Sequence, residues 1–153
     1  MSNTFQCSLK DLNDTHRLGT ILSTLLKPGH VVGLQGPIGA GKTTLVKSIA
    51  RGLGVQEEVQ SPTFNLFRMH TTGRIPLWHF DCYRLEGHLA DLGFDEYLEE
   101  DAIAVIEWPE FFPGQLPKRM IAITMTVEAN DQRLMTISTD DQAWLLQFRN
   151  LWI

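Results

Sequence analysis

The sequence predicts a three-layer α/β domain, in which helices cover both faces of a mixed sheet with a parallel core and antiparallel additions. The first observation is a glycine-rich segment, Gly36–Thr43, which lies between the apolar run His30–Gln35 and the helical run Thr44–Leu53. A strand, a glycine-rich loop and a helix in this order are typical of domains that bind phosphate groups. The second observation is the apolar run Ala102–Ile106, which lacks polar alternation and is therefore typical of a strand buried on both faces. Together these observations favour the P-loop NTPase-like class of α/β folds.

Length and composition indicate a single domain over residues 1–153. The chain has 153 residues, of which 43% are hydrophobic and 20% charged, and its formal net charge is -5. A chain of this length supports one hydrophobic core rather than two. Lysine and arginine form no basic stripe along the sequence. We therefore expect no direct binding of DNA or RNA through phosphate contacts.

The cysteines and the amino-terminal segment predict where the protein resides. Cys7 and Cys82 lie far apart and belong to no metal-binding pattern, which favours reduced thiols. The amino-terminal segment has neither the positive start nor the apolar stretch of a signal peptide, and no run approaches the length of a membrane span. The sequence therefore predicts a cytoplasmic protein that does not enter a membrane.

The elements before and after the phosphate loop follow from local patterns. Thr4–Leu9 predicts a short strand, and the leucines that come next recur at helical spacing. Either Asp11 or Asn13 is suited to cap the start of that helix, which Pro28-Gly29 ends. Gly54 is placed to end the helix after the loop in a left-handed conformation.

The middle of the chain predicts a hairpin followed by an acidic helix. Phe64–Met69 and Ile75–Phe80 are strand-like runs joined by a polar turn, for which a hairpin is the economical interpretation. Leu85–Asp101 is strongly acidic, lacks lysine and arginine, and carries apolar residues at roughly helical intervals around Gly93. Its acidic face is either solvated or a docking surface for a basic partner.

The last part of the chain predicts two antiparallel strands and a closing helix. Met120–Val127 and Leu134–Ser138 are β-rich and turn at Asn130-Asp131. Gln142–Ile153 places its large apolar residues on one flank, which indicates a helix that packs on the sheet or binds a partner.

The phosphate loop carries the most specific chemistry in the chain. Gly36-Pro37-Ile38-Gly39-Ala40-Gly41-Lys42-Thr43 matches G-x-x-x-x-G-K-[ST] without a gap, and the binding segment continues into Thr44. Its glycines let successive N–H groups point inward at the positive end of a helix, where they surround phosphates. We expect Lys42 to reach the β- and γ-phosphates and the Thr43 hydroxyl to bind the Mg²⁺ that bridges them.

Two carboxylates follow predicted strands and are candidates for the rest of the site. Asp81 closes Ile75–Phe80 and Glu107 closes Ala102–Ile106. In an open α/β sheet the carboxyl ends of the strands lie along one edge, so both side chains are expected near the Mg²⁺ or the attacking water. Which of the two holds the metal and which positions the water stays open at this point.

Residues outside the loop and the strand ends give weaker predictions. Thr63 lies on a turn ordered by Pro62, where a hydroxyl can sense a γ-phosphate, although it can equally bond its own backbone. Trp108 is a candidate for stacking on the nucleotide or on a partner. His79 and His88 have no partner at a spacing that supports a metal ligand or a base, and we assign neither a catalytic role.

The absence of one motif favours ATP as the nucleotide, while two alternative functions stay open. The guanine-reading signature N-K-x-D is absent from the sequence, so ATP is the favoured nucleotide. A kinase for a small metabolite or nucleoside is one alternative, and its closing lid would have to be the short loop Phe111–Arg119. A nucleotide switch that does not hydrolyse ATP is the other.

Four segments together resemble one bacterial family. The phosphate loop is followed by Ser61-Pro62-Thr63-Phe64, by His79-Phe80-Asp81-Cys82-Tyr83-Arg84-Leu85 and by Ile106-Glu107-Trp108-Pro109. In this order and at these separations they resemble the TsaE (YjeE) proteins, from about Asp14 to about Pro117. The last three segments are not general features of phosphate-loop proteins, which makes the resemblance specific.

The resemblance implies a function and a set of roles. It implies an ATPase that works with TsaB and TsaD in making N6-threonylcarbamoyladenosine at position 37 of tRNAs that read ANN codons, with the tRNA held by the partners. It implies Lys42 on phosphate, Thr43 and Glu107 on magnesium, and Asp81 as the acidic or water-positioning group. It further implies Thr63 as a switch-like sensor, Trp108 near the nucleotide or the partner, and Arg133 in contact with the nucleotide.

Overall fold

The computed structural model describes residues 3–62, 66–86, 93–99 and 101–153, in which a single seven-stranded sheet carries three α-helices. Thr63 and His88 lie outside these ranges. The strands are β1 (Thr4–Leu9), β2 (Val31–Gln35), β3 (Phe67–His70), β4 (Leu77–Asp81), β5 (Ile103–Glu107), β6 (Ile121–Val127) and β7 (Arg133–Ser138). The α-helices are α1 (Leu12–Leu25), α2 (Lys42–Gly52) and α3 (Gln142–Trp152). Short 3-10 helices lie at Tyr83–Leu85, Phe94–Glu99, Pro109–Phe111 and Ala129–Asp131.

The sheet is mixed, with a parallel centre and antiparallel edges. Its strand order is β1-β7-β6-β2-β5-β4-β3. Strands β6, β2, β5 and β4 run parallel, whereas β7, β1 and β3 are antiparallel to their neighbours. The predicted α/β class with a parallel core and antiparallel additions is confirmed. The carboxyl ends of β2, β5 and β4 therefore meet at one edge, where the phosphate loop begins.

The two faces of the sheet are covered differently. Alternate strand residues such as Val32 and Ile103 join a core that contains buried side chains from α1, α2 and α3. Their neighbours, including Phe80 and Ile106, join a second core closed by residues of the 3-10 helices, among them Leu85. Both faces thus carry helical segments, but within the described ranges the α-helices all pack on one of them. No helix in these ranges has the length and apolar character needed to cross a membrane.

The helix predicted after β1 is capped by Asp11 and not by Asn13. The Asp11 carboxylate accepts a hydrogen bond from the Asp14 backbone N–H at 3.0 Å, and the Asp14 carboxylate accepts one from the Lys10 N–H at 2.9 Å. This reciprocal pairing satisfies two donors at the start of α1. Asn13 lies inside the first turn of the helix, where its side chain does not serve this role.

The helix after the phosphate loop starts two residues earlier than its apolar pattern predicts. Gly41 has a φ of 102° and precedes the first helical residue, so Lys42 and Thr43 already belong to the first turn of α2. Gly54 adopts the predicted left-handed conformation, with a φ of 83°. The start of α2 fixes the directions in which Lys42 and Thr43 project into the site.

The predicted hairpin is present, and its ladder pairs Phe67 with Phe80 and His70 with Leu77. The turn predicted at Asn130-Asp131 is also present, and both residues have positive φ values, 67° and 62°. Asparagine and aspartate tolerate this conformation better than most residues. The predicted acidic helix over Leu85–Asp101 lies partly outside the described residues, and Phe94–Glu99 within it is a 3-10 helix.

Candidate nucleotide-binding site

The phosphate loop turns sharply because glycine stands where other residues would clash or be strained. Gly36 has a φ of 150°, and a Cβ there would lie 2.2 Å from the Met125 carbonyl oxygen. Gly41 has a φ of 102° and leads directly into α2. The backbone N–H groups at the start of a helix have no partner within that helix, which makes this end of α2 suited to an anion.

Lys42 is buried beside its own loop. Its Nζ atom donates hydrogen bonds to the Gly36 carbonyl and, at 3.3 Å, to the Pro37 carbonyl. The same atom lies 4.0 Å from the centre of the Trp108 ring, a cation–π contact. Burial lowers the pKa of the ammonium, while the carboxylates of Glu107, Glu110 and Asp81 act in the opposite direction. The loop therefore holds a cation in a partly dry position, where its attraction to a phosphate is strong.

Glu107 connects the end of β5 to the first turn of α2. Its side chain is buried, at 3% exposed, and Oε1 accepts a hydrogen bond from the Thr43 hydroxyl at 3.1 Å. Oε2 lies 2.6 Å from Nε2 of His79, which is fully buried on β4. Thr43 and Glu107, which the family resemblance assigns to magnesium, thus touch each other, although 64 positions separate them in the chain.

Asp81 lies beside Glu107 at the same edge of the sheet, since the two residues are register partners of parallel strands. Its Oδ2 accepts a hydrogen bond from the Ser61 hydroxyl at 2.8 Å, and its Oδ1 accepts one from the Tyr83 N–H at 3.1 Å. Ser61 belongs to the turn predicted to be ordered by Pro62. The carboxylate is therefore held by two donors while it still lines the cavity.

Trp108 and Arg133 enclose the loop from opposite sides. Trp108 follows Glu107 with a φ of 58° and packs on the rings of Tyr83 and Phe111, with centroids 4.9 and 5.9 Å away. The Arg133 guanidinium donates to the carbonyls of Ala40 at 3.2 Å and of Gly39 at 3.1 Å. Both side chains line the cavity, and Arg133 also supports the outer turn of the loop.

A cavity of about 610 Å³ joins these residues. Of the predicted site residues, Pro37, Ile38, Gly39, Ala40, Gly41, Lys42, Thr43, Thr44, Asp81, Glu107, Trp108 and Arg133 line it. Gly36, the first residue of the loop, does not line the cavity and contributes the carbonyl that Lys42 binds. The cavity is also lined by residues that residue type and spacing do not mark as ligands: Leu9, Asp11, Leu12, Thr15, Ser61, Tyr83 and Asp131. The first four of these lie where β1 leads into α1, far from the loop in sequence.

The oxygen atoms at this edge of the sheet fit a magnesium ion. Mg²⁺ prefers hard oxygen ligands and is commonly held by one or two protein groups together with substrate phosphates and water. The Thr43 hydroxyl and the Glu107 carboxylate supply such oxygens next to the loop, and Asp81 adds a neighbouring carboxylate. Within the described residues no group of three His, Cys, Asp or Glu side chains forms an all-protein metal cage. This donor set suits a metal that arrives with a phosphorylated ligand.

Comparison with known proteins gives one consistent family. The family model described as Threonylcarbamoyl adenosine biosynthesis protein TsaE matches residues 9–135. The tRNA threonylcarbamoyladenosine biosynthesis protein TsaE of Bacillus subtilis (strain 168) is 37% identical over 125 residues, which cover 82% of this chain and 79% of that protein. The protein of the same name from Treponema pallidum (strain Nichols) is 41% identical over 135 residues, or 87% of this chain and 99% of that one.

A solved structure agrees with these relatives. The crystal structure of YdiB from Bacillus subtilis superimposes with a TM-score of 0.84, at 28% sequence identity. The match covers 99% of this chain and 95% of that one, so it includes every strand and helix described above. On the family model, the relatives and the shared fold, the chain belongs to the TsaE family.

Proposed function

We propose that this protein binds ATP with Mg²⁺ and hydrolyses it, as an accessory protein of the complex that makes N6-threonylcarbamoyladenosine at position 37 of tRNAs reading ANN codons. Membership of the TsaE family links the chain to tRNA threonylcarbamoyladenosine biosynthesis. The observation that carries the enzymatic part of the proposal is the contact of the Thr43 hydroxyl with the Glu107 carboxylate, next to the buried Lys42. A loop that only bound phosphate would not require a buried carboxylate beside it.

In this proposal the loop binds the phosphates, and Thr43 and Glu107 bind the magnesium ion. The N–H groups of the loop and of the first turn of α2 face the phosphates, and Lys42 exchanges its bonds to loop carbonyls for bonds to phosphate oxygens. Thr43 and Glu107 are the proposed ligands of Mg²⁺, which when bound neutralises charge on the β- and γ-phosphate oxygens. Trp108 and Arg133 close the two sides of the cavity around the nucleotide.

Asp81 is the group that we assign to the attacking water. Hydrolysis forms a bond between the water oxygen and the γ-phosphorus and breaks the bond to the bridging oxygen, which leaves with the electron pair on ADP. Ser61 and the Tyr83 N–H hold the Asp81 carboxylate at 2.8 and 3.1 Å, so it presents acceptor oxygens in a fixed direction. Such an acceptor orients a water molecule by accepting a hydrogen bond from it. Thr63, two residues after Ser61 in the sequence, is the proposed sensor of the γ-phosphate.

The proposal also includes a partner complex and a cellular compartment. We assign regulation of a TsaB–TsaD type complex to the nucleotide state of this protein, with tRNA contacted through those partners. A net charge of -5 without a basic stripe supports this division, because direct tRNA binding relies on lysine and arginine at phosphates. We place the protein and these partners in the cytoplasm.

The position of Arg119 argues against the kinase alternative. A kinase lid would bring basic side chains from Phe111–Arg119 over the phosphates. Arg119 instead lines a second cavity with Pro28, Gly29 and His30, which lie before the first residue of β2. The phosphate loop follows the last residue of β2, so Arg119 lies toward the opposite end of the sheet.

The proposed partnership is tested by affinity capture from the native cytoplasm. We expect the wild-type protein with ATP and Mg²⁺ to recover TsaB- and TsaD-type proteins, identified by mass spectrometry. Lys42→Ala, which lacks the phosphate-binding ammonium, should recover far less of them under the same conditions. Recovery of no tRNA-modification proteins by the wild type, or equal recovery with and without ATP, would contradict the proposal. Transfer of labelled phosphate to a metabolite, with no partner present, would support a kinase instead.

A further inference from the structure

His79 is a buried polar residue for which the mechanism above has no use. It lies on β4, two residues before Asp81, and its side chain is fully buried beside Glu107. The neighbouring residues Trp78 and Phe80 face the second core, whereas His79 faces α2 and the phosphate loop as Leu77 does. Buried imidazoles are costly unless their polar atoms are satisfied, so its place at this edge of the sheet requires a reason.

The contact between His79 and Glu107 has a defined direction. The two side chains approach to 2.6 Å between Nε2 and Oε2. An ionised carboxylate can only accept hydrogen bonds, so Nε2 of His79 carries the proton that is donated. Nδ1 of His79 is buried and has no hydrogen-bond partner within the described residues. A proton on Nδ1 would be an unsatisfied buried donor, whereas a proton on Nε2 is donated to Glu107.

The two oxygens of Glu107 therefore have different tasks. His79 engages Oε2 at 2.6 Å, while the closer contact of the Thr43 hydroxyl, at 3.1 Å, is to Oε1. A carboxylate held at one oxygen by a rigid strand residue cannot rotate freely about its last bond. Oε1 is then left directed at Thr43 and the phosphate loop.

A second histidine–glutamate pair in the chain provides a comparison. His70, on β3, is also buried, and its Nδ1 lies 2.9 Å from Oε2 of Glu57. Glu57 is 39% exposed at its side chain and lies in neither the phosphate loop nor the cavity that the loop lines. This pair has the chemistry of the His79–Glu107 pair without its location, which makes it a matched control.

We infer that His79 is a positioning residue, which donates a hydrogen bond from Nε2 to Glu107 and so presents Oε1 of that carboxylate to Mg²⁺ beside Thr43. The inference rests on the proposed function, since it assigns a role toward the metal of the same site. A partner of this kind, which holds a ligand without touching the metal, commonly affects metal affinity by about 10–100-fold. His79 acts through Glu107 and makes no contact with the substrate.

The inference is tested by two substitutions that differ in where they place an amide donor. The side-chain nitrogen of His79→Gln lies as many bonds from Cβ as Nε2 of histidine, so it can still reach Glu107. The nitrogen of His79→Asn corresponds to Nδ1 and falls short. The measurement is binding of a non-hydrolysable ATP analogue by calorimetry, first in EDTA and then with increasing Mg²⁺. His70→Gln and His70→Asn are measured alongside, with thermal melting of every variant.

We expect His79→Asn to raise, by roughly 10–100-fold, the Mg²⁺ concentration at which the gain in analogue affinity is half-maximal. Its affinity for the analogue in EDTA should be unchanged. His79→Gln should stay close to wild type, and neither His70 variant should change the Mg²⁺ requirement. Wild-type Mg²⁺ requirement in His79→Asn, or equal losses in His79→Gln and His79→Asn, would overturn the inference. A wild-type protein that bound the analogue equally with and without Mg²⁺ would instead overturn the proposed metal site, and the positioning role with it.

Discussion

Replacing Lys42 with alanine is expected to abolish measurable ATP binding. The ammonium lies at the centre of the loop, bonded to the Gly36 and Pro37 carbonyls and stacked on Trp108. Two charge-assisted hydrogen bonds to phosphate oxygens are worth about 1.5–3 kcal/mol each, so losing both weakens binding by roughly 10²–10⁴-fold. Titration calorimetry with ATP and Mg²⁺ measures the change directly.

The matched control is Lys47→Ala. Lys47 lies in the same helix, α2, but its side chain is exposed and does not line the cavity. This variant should bind ATP as the wild type does, and melting curves should show both variants folded. ATP affinity that is unchanged in Lys42→Ala, or reduced to the same extent in Lys47→Ala, would contradict the assignment of the loop.

Replacing Glu107 with glutamine is expected to remove turnover while ATP binding persists. Glutamine keeps the shape of the side chain, and its one oxygen can still accept the hydrogen bond from His79 while its NH2 group faces the Thr43 hydroxyl as a donor, but it lacks the charge that holds a metal. Charge stabilisation by a bound metal is worth several kcal/mol in a phosphoryl-transfer transition state, so we expect kcat to fall about 10²-fold or more. Phosphate release measured under saturating ATP, beside calorimetric ATP affinity, separates the two effects.

Variants of two further carboxylates provide a second test and a control for this result. Asp81→Asn should also retain ATP and lose turnover, because its proposed partner is the attacking water. Glu110→Gln removes a nearby charge from an exposed side chain and should leave turnover near the wild-type rate. If Glu107→Gln and Asp81→Asn lost ATP affinity in EDTA to the same extent as turnover, both carboxylates would have structural roles and no part in the reaction.

The main features of the fold are predictable from the sequence because they depend on local patterns. Apolar runs without alternation identify β2 and β5, and the residue that follows each run opens the phosphate loop or supplies Glu107. The register of the parallel strands then brings Asp81 and Glu107 side by side, as their shared position at strand ends predicts. The structure on the second face of the sheet is harder to predict from the sequence, because its 3-10 helices are short and lack a repeating pattern.

The exact start of a helix depends on backbone geometry that residue types do not specify. Lys42 and Thr43 belong to the loop motif and the apolar pattern predicts a helix only from Thr44, but the left-handed Gly41 already lets α2 begin at Lys42. Asp11 and Asn13 are equally good caps by residue type. The reciprocal bonds of Asp11 and Asp14 decide between them, and those bonds depend on the backbone geometry at the end of β1.

The supporting residues of the site were not predictable from spacing. His79 lies 28 positions before Glu107, and Ser61 lies 20 positions before Asp81. Their contacts depend on which strands are neighbours and on the register between them, and neither can be deduced from one sequence. One signal was available for His79: it stands two residues before Asp81 on a strand, and therefore faces the same side of the sheet.

The most direct test of the magnesium-dependent ATP site is the ATP affinity of two Thr43 variants, measured by calorimetry with Mg²⁺ and with EDTA. Thr43→Ser retains the hydroxyl that contacts Glu107, whereas Thr43→Val replaces it with a methyl group of similar size. We predict that Mg²⁺ strengthens ATP binding in the wild type and in Thr43→Ser, and that this gain is lost in Thr43→Val. An equal gain from Mg²⁺ in all three proteins would show that the metal does not bind between Thr43 and Glu107.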